Sequence, residues 1–136
     1  MNTGKTRAFQ RRAGPPPKVD ARAVAAGVIM VTALTVFMSA VLAVAIYTTN
    51  ITEAHVSGVL YYLGLASVAA GGAVAARRAR GRGLIHGGLT GLAYVVISLL
   101  VGAVLFPGSL EAAAMARKVL TALVAGAAGG IIGLNV

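Results

Sequence analysis

Four long apolar runs without a single Asp, Glu, Lys or Arg restrict this chain to an integral membrane protein. The runs cover residues 23–47, 56–76, 84–106 and 119–136. As an α-helix, the first would be about 37 Å long and the last about 27 Å, against a hydrocarbon core of about 30 Å. We therefore predict an all-α integral membrane domain over residues 23–136, with four transmembrane helices arranged as two hairpins.

The composition agrees with this class. The chain has 136 residues, of which 58% are hydrophobic and 11% charged, whereas a soluble domain carries about 25% charged residues. The absence of cysteine excludes disulfides and thiolate metal sites. The net charge of +9 is typical of nucleic-acid binding as well. Because the cations flank the apolar runs, membrane topology explains them more simply, and no nucleic-acid partner is expected.

The distribution of cations predicts how the chain is threaded. Six Lys or Arg residues lie within residues 1–22, four lie within residues 77–82, and two precede the fourth run. Cytoplasmic segments carry an excess of Lys and Arg. We therefore expect a multi-pass protein of the cell (inner or cytoplasmic) membrane with both termini in the cytoplasm.

Residues 1–22 are predicted to form a disordered basic cytoplasmic tail. Pro15, Pro16 and Pro17 cannot continue a helix and favour an extended chain. The tail has two interpretations: an arm that contacts anionic headgroups or RNA, or a topology signal, which the rule for cations favours. A cleaved signal peptide ending near Ala45 is disfavoured, because the first apolar run is too long for a signal core.

Small residues recur at helical spacing in the last three runs. Gly83, Gly87 and Gly91 form two overlapping G-x-x-x-G units, a pattern that allows close contact between membrane helices. We expect the small-residue face of the second run to meet the third run at Gly87 and Gly91. The predicted helix-packing residues are Ser67, Gly71, Gly72, Gly83, Gly87, Gly91, Gly126, Gly129, Gly130 and Gly133.

The arginine turn, residues 77–82, separates the second run from the third. Near an anionic leaflet each arginine contributes about 1 kcal/mol of attraction. The turn is predicted to contact lipid headgroups or an acidic partner, and the alternative is a topology signal alone. The residues concerned are Arg77, Arg78, Arg80 and Arg82.

His86 and Tyr94 are the candidate polar site of the third run. His86 is either a proton relay or anion ligand, or an interfacial side chain bonded to a backbone carbonyl or a lipid phosphate. The second interpretation is favoured because no acid lies nearby in the sequence. Tyr94 is expected to bond across helices. Glu53 and His55 fall short of a metal coordination set, so no metal and no cofactor are expected.

Two observations bear on family and ancestry. A shift of 58 residues aligns Glu53–Ala54 with Glu111–Ala112 and residues 69–72 with residues 127–130. This is either a parallel internal repeat or a chance match between alanine-rich segments.

Three pieces of sequence also resemble a family. They are Gly71–Gly72 followed by Ala76–Arg77, the run from Gly83 through His86 to Tyr94, and the terminal run from Gly129 to Asn135. Together they resemble small four-helix bacterial membrane proteins of uncharacterised function, over roughly residues 27–135. The resemblance implies a four-helix fold but supplies no functional residue. The long basic tail departs from the usual short start of that family, so it inherits no role.

Three function classes follow from the sequence. The first is an accessory or interaction subunit of a membrane complex, or a self-associating bundle; its partners are membrane lipids with anionic headgroups and either another membrane protein or further copies. The alternative is a small oligomeric transporter or channel without an intramembrane coupling carboxylate. An enzyme is not expected, since the four runs lack acids, cysteines and any Ser/His/Asp set.

Overall fold

The computed structural model describes residues 19–49, 53–108 and 111–136, and these form four α-helices. In chain order they are α1 (Ala21–Thr48), α2 (Glu53–Ala79), α3 (Gly83–Leu105) and α4 (Ala112–Asn135). Each contains a segment long and apolar enough to cross a membrane. The prediction of an all-α, four-helix membrane protein is therefore confirmed. The disordered tail was predicted for residues 1–22, of which residues 1–18 lie outside the described part of the chain.

Helix α1 begins two residues earlier than predicted. Asp20 has an extended backbone (φ −80°, ψ 97°), and its side chain accepts a hydrogen bond from the backbone N–H of Arg22 at 3.0 Å. Such a cap satisfies one of the free N–H groups at a helix start and stabilises the helix by about 1 kcal/mol. Residues 21 and 22, which the sequence interpretation assigned to the tail, thus belong to the helix.

Helix α4 is also longer than the predicted fourth span. It begins at Ala112 rather than at residue 119, so Arg117 and Lys118 lie inside the helix. The residues from Ala112 to Lys118 are nearly all strong helix formers, and nothing in them breaks the hydrogen-bond ladder. At 24 residues the helix is about 36 Å long, which is enough to cross a bilayer core.

The helices run alternately up and down. Asp20 at the start of α1 contacts His86 at the start of α3, and Arg77 at the end of α2 contacts Gly133 at the end of α4. We call this the arginine end of the bundle, and the other the opposite end. The buried centre consists of one residue from each helix, namely Val31, Val68, Val95 and Ala122. Many large apolar side chains face outward, as expected of surfaces that meet lipid.

The most extensive helix contact joins α3 to α4. A Cβ atom added to Gly87 would lie against the carbonyl of Gly126, and one added to Gly83 against the carbonyl of Gly130. A Cβ atom added to Gly91 would lie nearest to the backbone of Ala122, and it would be 3.4 Å from a side-chain carbon of Val68 of α2. The expectation that Gly87 and Gly91 would meet the second span is therefore wrong for the main contact. Spacing identifies a small-residue face, but it does not say which helix covers that face.

Helix α2 uses its two adjacent glycines for two different neighbours. Gly71 packs against Gly27 and Val31 of α1, whereas Gly72 packs against Gly126 of α4. Farther toward the arginine end, Gly133 of α4 lies against the backbone of Ala73, and Gly129 lies against Ala69. Ser67 is buried, and its hydroxyl donates to the carbonyl of Leu63 in its own helix at 2.8 Å. Helix α2 is thus held between α1 and α4.

Among the described residues, the close glycine contacts between helices lie in the arginine half of the bundle or near its centre. The contacts through Gly71, Gly87 and Gly130 all lie there or near the bundle centre. Toward the opposite end, a Cβ atom added to Gly58, Gly64 or Gly102 would meet nothing within 4 Å. Within the described residues, glycine contacts therefore hold the helices together at the arginine end but not at the opposite end.

Candidate functional site

At the arginine end, one of the four arginines bonds to another helix, and the other three are exposed without an ion pair to any described residue. Arg77 and Arg78 form the last turn of α2, where cations interact favourably with the helix dipole. The Nε–H of Arg77 donates to the carbonyl of Gly133 at 3.2 Å, so this side chain ties α2 to one of the final carbonyls of α4. Arg78, Arg80 and Arg82 are exposed, and none forms an ion pair within the described residues.

The backbone of the arginine turn is strained at two of these residues. Arg80 has φ 52° and Arg82 has φ 48°, both in the left-handed region. This conformation costs an ordinary residue roughly 1–2 kcal/mol, a cost that glycine avoids. The glycine between them, Gly81, does not take a positive φ. The turn therefore places its side chains at positions where the backbone favours having none.

His86 joins the turn to the start of α1. Its ring is buried, with 5% of its surface exposed. Nε2 accepts a hydrogen bond from the backbone N–H of Asp20 at 3.2 Å, and Nδ1 lies 3.2 Å from the carbonyl of Arg82. Since a backbone N–H can only donate and a carbonyl can only accept, these partners assign the proton to Nδ1 of a neutral imidazole. The His86 side chain thus bonds to a backbone carbonyl, as the favoured interpretation allowed, and it also bonds to the backbone N–H of Asp20.

Thr90 and Asp20 are members of this cluster that the sequence interpretation missed. The Thr90 hydroxyl donates to the carbonyl of His86 at 2.8 Å and is fully buried. Its methyl group lies 2.8 Å from the position that a Cβ atom on Gly27 would take, so it packs closely between α1 and α3. The four-residue spacing of His86 and Thr90 was a usable signal, whereas the approach of Asp20 across 66 residues was not.

Tyr94 belongs to a different place. Its hydroxyl donates to the Oγ1 atom of Thr35 at 3.4 Å, a bond between α3 and α1 near the centre of the bundle. Two helical turns, or about 12 Å, separate it from His86 along α3. The two residues proposed as one polar site therefore serve two separate helix contacts.

At the opposite end, a cavity of about 690 Å³ opens between α3, α4 and the start of α2. A narrower cavity of about 180 Å³ continues from it toward Thr35 and Tyr94. Three charged side chains line the larger cavity: Glu111, Arg117 and Lys118. The residues shared by both cavities are Tyr61, Ser98, Lys118 and Thr121. Sequence reasoning missed this site, although the presence of two cations beside an apolar run was a signal for it.

Neither end assembles a metal-binding set from its described residues. Within the described ranges, no three His, Cys, Asp or Glu side chains are grouped to hold an ion. The side chains of Glu53 and His55 lie outside the described part of the chain. The chemistry available at the two ends is therefore that of hydrogen bonds, cations and apolar surface.

Comparison with known proteins places the chain in a family without supplying a function. Neither the curated proteins nor the solved structures contain a match to it. The sequence model of one family, described as "Protein of unknown function (DUF3792)", matches residues 20–133. This match begins at the residue that caps α1 and ends in the last turn of α4, so it spans all four helices. The chain therefore belongs to this family of uncharacterised proteins.

Proposed function

We propose that this protein is a non-catalytic accessory subunit of a membrane complex, and that its arginine turn binds an acidic surface of the partner protein. The observation that carries the proposal is the left-handed backbone at Arg80 and Arg82. A topology signal requires only positive charge near the membrane, at any nearby position. Arginine at two strained positions is better explained by a need for those side chains in that place.

The anchoring of the turn supports the same proposal. Arg77 fixes its start to α4, and the carbonyl of Arg82 is held at its end by His86. The charges of Arg78, Arg80 and Arg82 are therefore carried on a backbone fixed at both sides. A fixed backbone lowers the entropy lost when a partner binds, compared with a free loop.

The glycine faces are already used for packing within the chain, which leaves the turn as the surface for a partner. The predicted packing glycines of α2, α3 and α4 lie against neighbouring helices of the same chain. They are occupied, so they offer no seam to a second copy or to another membrane protein. Among the predicted contact surfaces, the exposed arginines are the ones left available.

The proposed orientation puts the arginine end in the cytoplasm of the cell membrane. Ten of the twelve Lys and Arg residues lie in residues 1–22 and 77–82, and the start of α1, the arginine turn and the end of α4 all belong to one end of the bundle. The rule that positive segments stay inside supports this direction. An acidic cytoplasmic segment of a membrane partner would then face the turn.

The test exchanges charge at the turn while keeping its anchors. Arg78→Gln with Arg80→Gln removes two presented charges and leaves Arg77 and Arg82 in place. Arg78→Lys with Arg80→Lys is the matched control, since it preserves both charges. We expect in-cell crosslinking with mass spectrometry to recover fewer partner peptides from the glutamine variant than from the lysine variant. An unchanged partner set, with normal membrane levels, would leave the turn as a topology signal.

A small transporter or channel is the second candidate, and the cavity at the opposite end favours it. The cavity reaches the centre of the bundle but meets the closed α3–α4 contact on the arginine side. Transport would therefore require the glycine contact to open, or a path between several copies. Solute flux into proteoliposomes, compared with empty liposomes, distinguishes this function from the first.

A further inference from the structure

We propose that the cavity at the opposite end is a binding site for an anionic phospholipid, independent of the arginine turn. The headgroup phosphate would bind at Lys118 and Arg117, and an acyl chain would leave along the outer face of α3. The chemistry concerned is a phosphate group joined to an apolar chain.

The charge of the site favours an anion. Lys118 lies six residues into α4, about 9 Å from the helix start, and lines both cavities. Among the described residues, no carboxylate pairs with Lys118 or Arg117. Glu111 at the cavity mouth offsets one of the two cations, so the site keeps an excess positive charge. Both side chains are exposed, so their charges are accessible to a headgroup phosphate that approaches from outside the bundle.

The polar groups beside Lys118 are suited to a headgroup. The hydroxyl of Thr121 bonds to carbonyls of its own helix, as those of Thr90 and Ser67 do. Ser98 differs from them, since its hydroxyl has no hydrogen bond to any described residue. Ser98 lines both cavities together with Lys118, which leaves a free donor next to a free cation.

An apolar groove continues the cavity across α3. This shallow, open groove has a volume of about 310 Å³, and its lining side chains are all apolar: Leu100, Val101, Val104 and Leu105. Val101 and Leu105 also line the cavity, so the cationic part and the apolar part are contiguous. A free phosphate would use only the first part, whereas a phospholipid would use both. This continuity is the reason to assign the site to a lipid.

The sequence explains why the space exists. Glycine contacts hold α3 against α4 from Gly83 to Gly91, and the next residues toward the cavity are the larger Val95 and Leu99. Gly102, one turn further along α3, has no side chain and lines the cavity, and a Cβ atom added there would meet nothing within 4 Å. Gly102 therefore does not serve helix contact, and it enlarges the cavity instead.

Native mass spectrometry of the detergent-purified full chain measures the binding. The probes are phosphatidylglycerol, phosphatidylcholine and inorganic phosphate alone. We expect phosphatidylglycerol to bind at least about tenfold more tightly than either of the others, since it alone combines net charge with an acyl chain. Lys118→Gln should weaken that binding by about tenfold, the effect of losing one charge-assisted hydrogen bond. Lys118→Arg is the matched control, because it keeps the positive charge at the same position.

Gly102→Leu tests the cavity without touching any charge. The new side chain enters open space and replaces a poor helix former, so the variant should fold and unfold like the parent. It should lose phosphatidylglycerol binding by filling the cavity. Gly58→Leu is the matched control, because its Cβ atom also meets nothing and Gly58 does not line the cavity.

Each result decides the proposal. Loss of binding in Gly102→Leu but not in Gly58→Leu supports it, even if Lys118→Gln fails to fold. Equal binding of phosphatidylglycerol and phosphatidylcholine overturns it. Parent affinity in both Lys118→Gln and Gly102→Leu also overturns it. Tight binding of inorganic phosphate alone would assign the site to a soluble anion and overturn the lipid.

Discussion

At the scale of single residues, a charged and a polar side chain hold the helix ends together through hydrogen bonds to backbone groups. Arg77 bonds to a carbonyl of α4, and His86 bonds to an N–H before α1 and a carbonyl before α3. The sequence identified both side chains as candidates for function. It did not indicate that they hold helix ends together, because the backbone groups that join them to another part of the chain are 56 and 66 residues away.

Replacement of His86 by Phe should loosen the start of α1. The variant keeps a ring of similar shape but leaves the N–H of Asp20 and the carbonyl of Arg82 without their side-chain partner. The carbonyl of Arg82 still accepts from the backbone N–H groups of Ile85 and His86, so the main loss is the partly buried hydrogen bond from Asp20. We expect the free energy of unfolding in detergent to fall by about 0.5–1.5 kcal/mol, the net contribution of one hydrogen bond. Thr32→Val is the control, since its hydroxyl bonds only within α1 at an exposed position. An equal effect of the two substitutions would remove the fastening role of His86.

Glycine substitutions at Arg80 and Arg78 should act in opposite directions. Arg80→Gly relieves a left-handed backbone and should stabilise the protein by about 0.5–1 kcal/mol. Arg78→Gly places glycine in the last turn of α2 and should destabilise it by up to about 1 kcal/mol. Both remove one exposed arginine, so their difference in unfolding free energy isolates the backbone. Destabilisation by Arg80→Gly would show that the arginine side chain itself supports the turn.

At the scale of helices, the sequence predicted the elements well and their neighbours less well. Charge-free runs located all four helices, since no other structure satisfies so long an apolar segment. Helix α4 begins seven residues before the predicted fourth span, because that span was bounded at its two cations. The small-residue faces were visible, but periodicity alone did not show that α4 covers the face of α3.

Gly91→Leu should disrupt the contact between α3 and α4. A Cβ atom there would lie against the backbone carbonyl of Ala122, and a backbone carbonyl cannot move aside as the end of a flexible side chain can. Overpacking of this kind costs about 1–3 kcal/mol or more. We expect lower unfolding free energy and less protein in the membrane than for Gly102→Leu on the same helix, where the space is open. If the two variants accumulate equally, the glycines of α3 do not determine its packing.

At the scale of the whole molecule, the bundle has two unlike ends. The arginine end is closed by glycine contacts and hydrogen bonds to backbone groups, while the opposite end holds a cavity with two cations. The family match confirms membership of an uncharacterised family, and the internal repeat stays a prediction. The two helix pairs are not built alike: Gly27 faces Gly71 in the first, whereas Gly87 and Gly126 of the second correspond to Ile29 and Val68 under the 58-residue shift. Cation counting predicts that the arginine end lies inside the cell.

Single cysteines provide the test of orientation, since the chain has none of its own. Thr49 and Pro107 follow α1 and α3 at the opposite end and are exposed, while Ala79 ends α2 at the arginine end. Gly108 is avoided, because its φ of 97° would strain a cysteine. With the arginine end in the cytoplasm, a membrane-impermeant maleimide added to intact cells should label cysteine at 49 and 107 but not at 79. Permeabilised cells should allow labelling at all three, which controls for access. The reverse pattern in intact cells would place ten cations outside, and with them the surface proposed to bind a cytoplasmic partner.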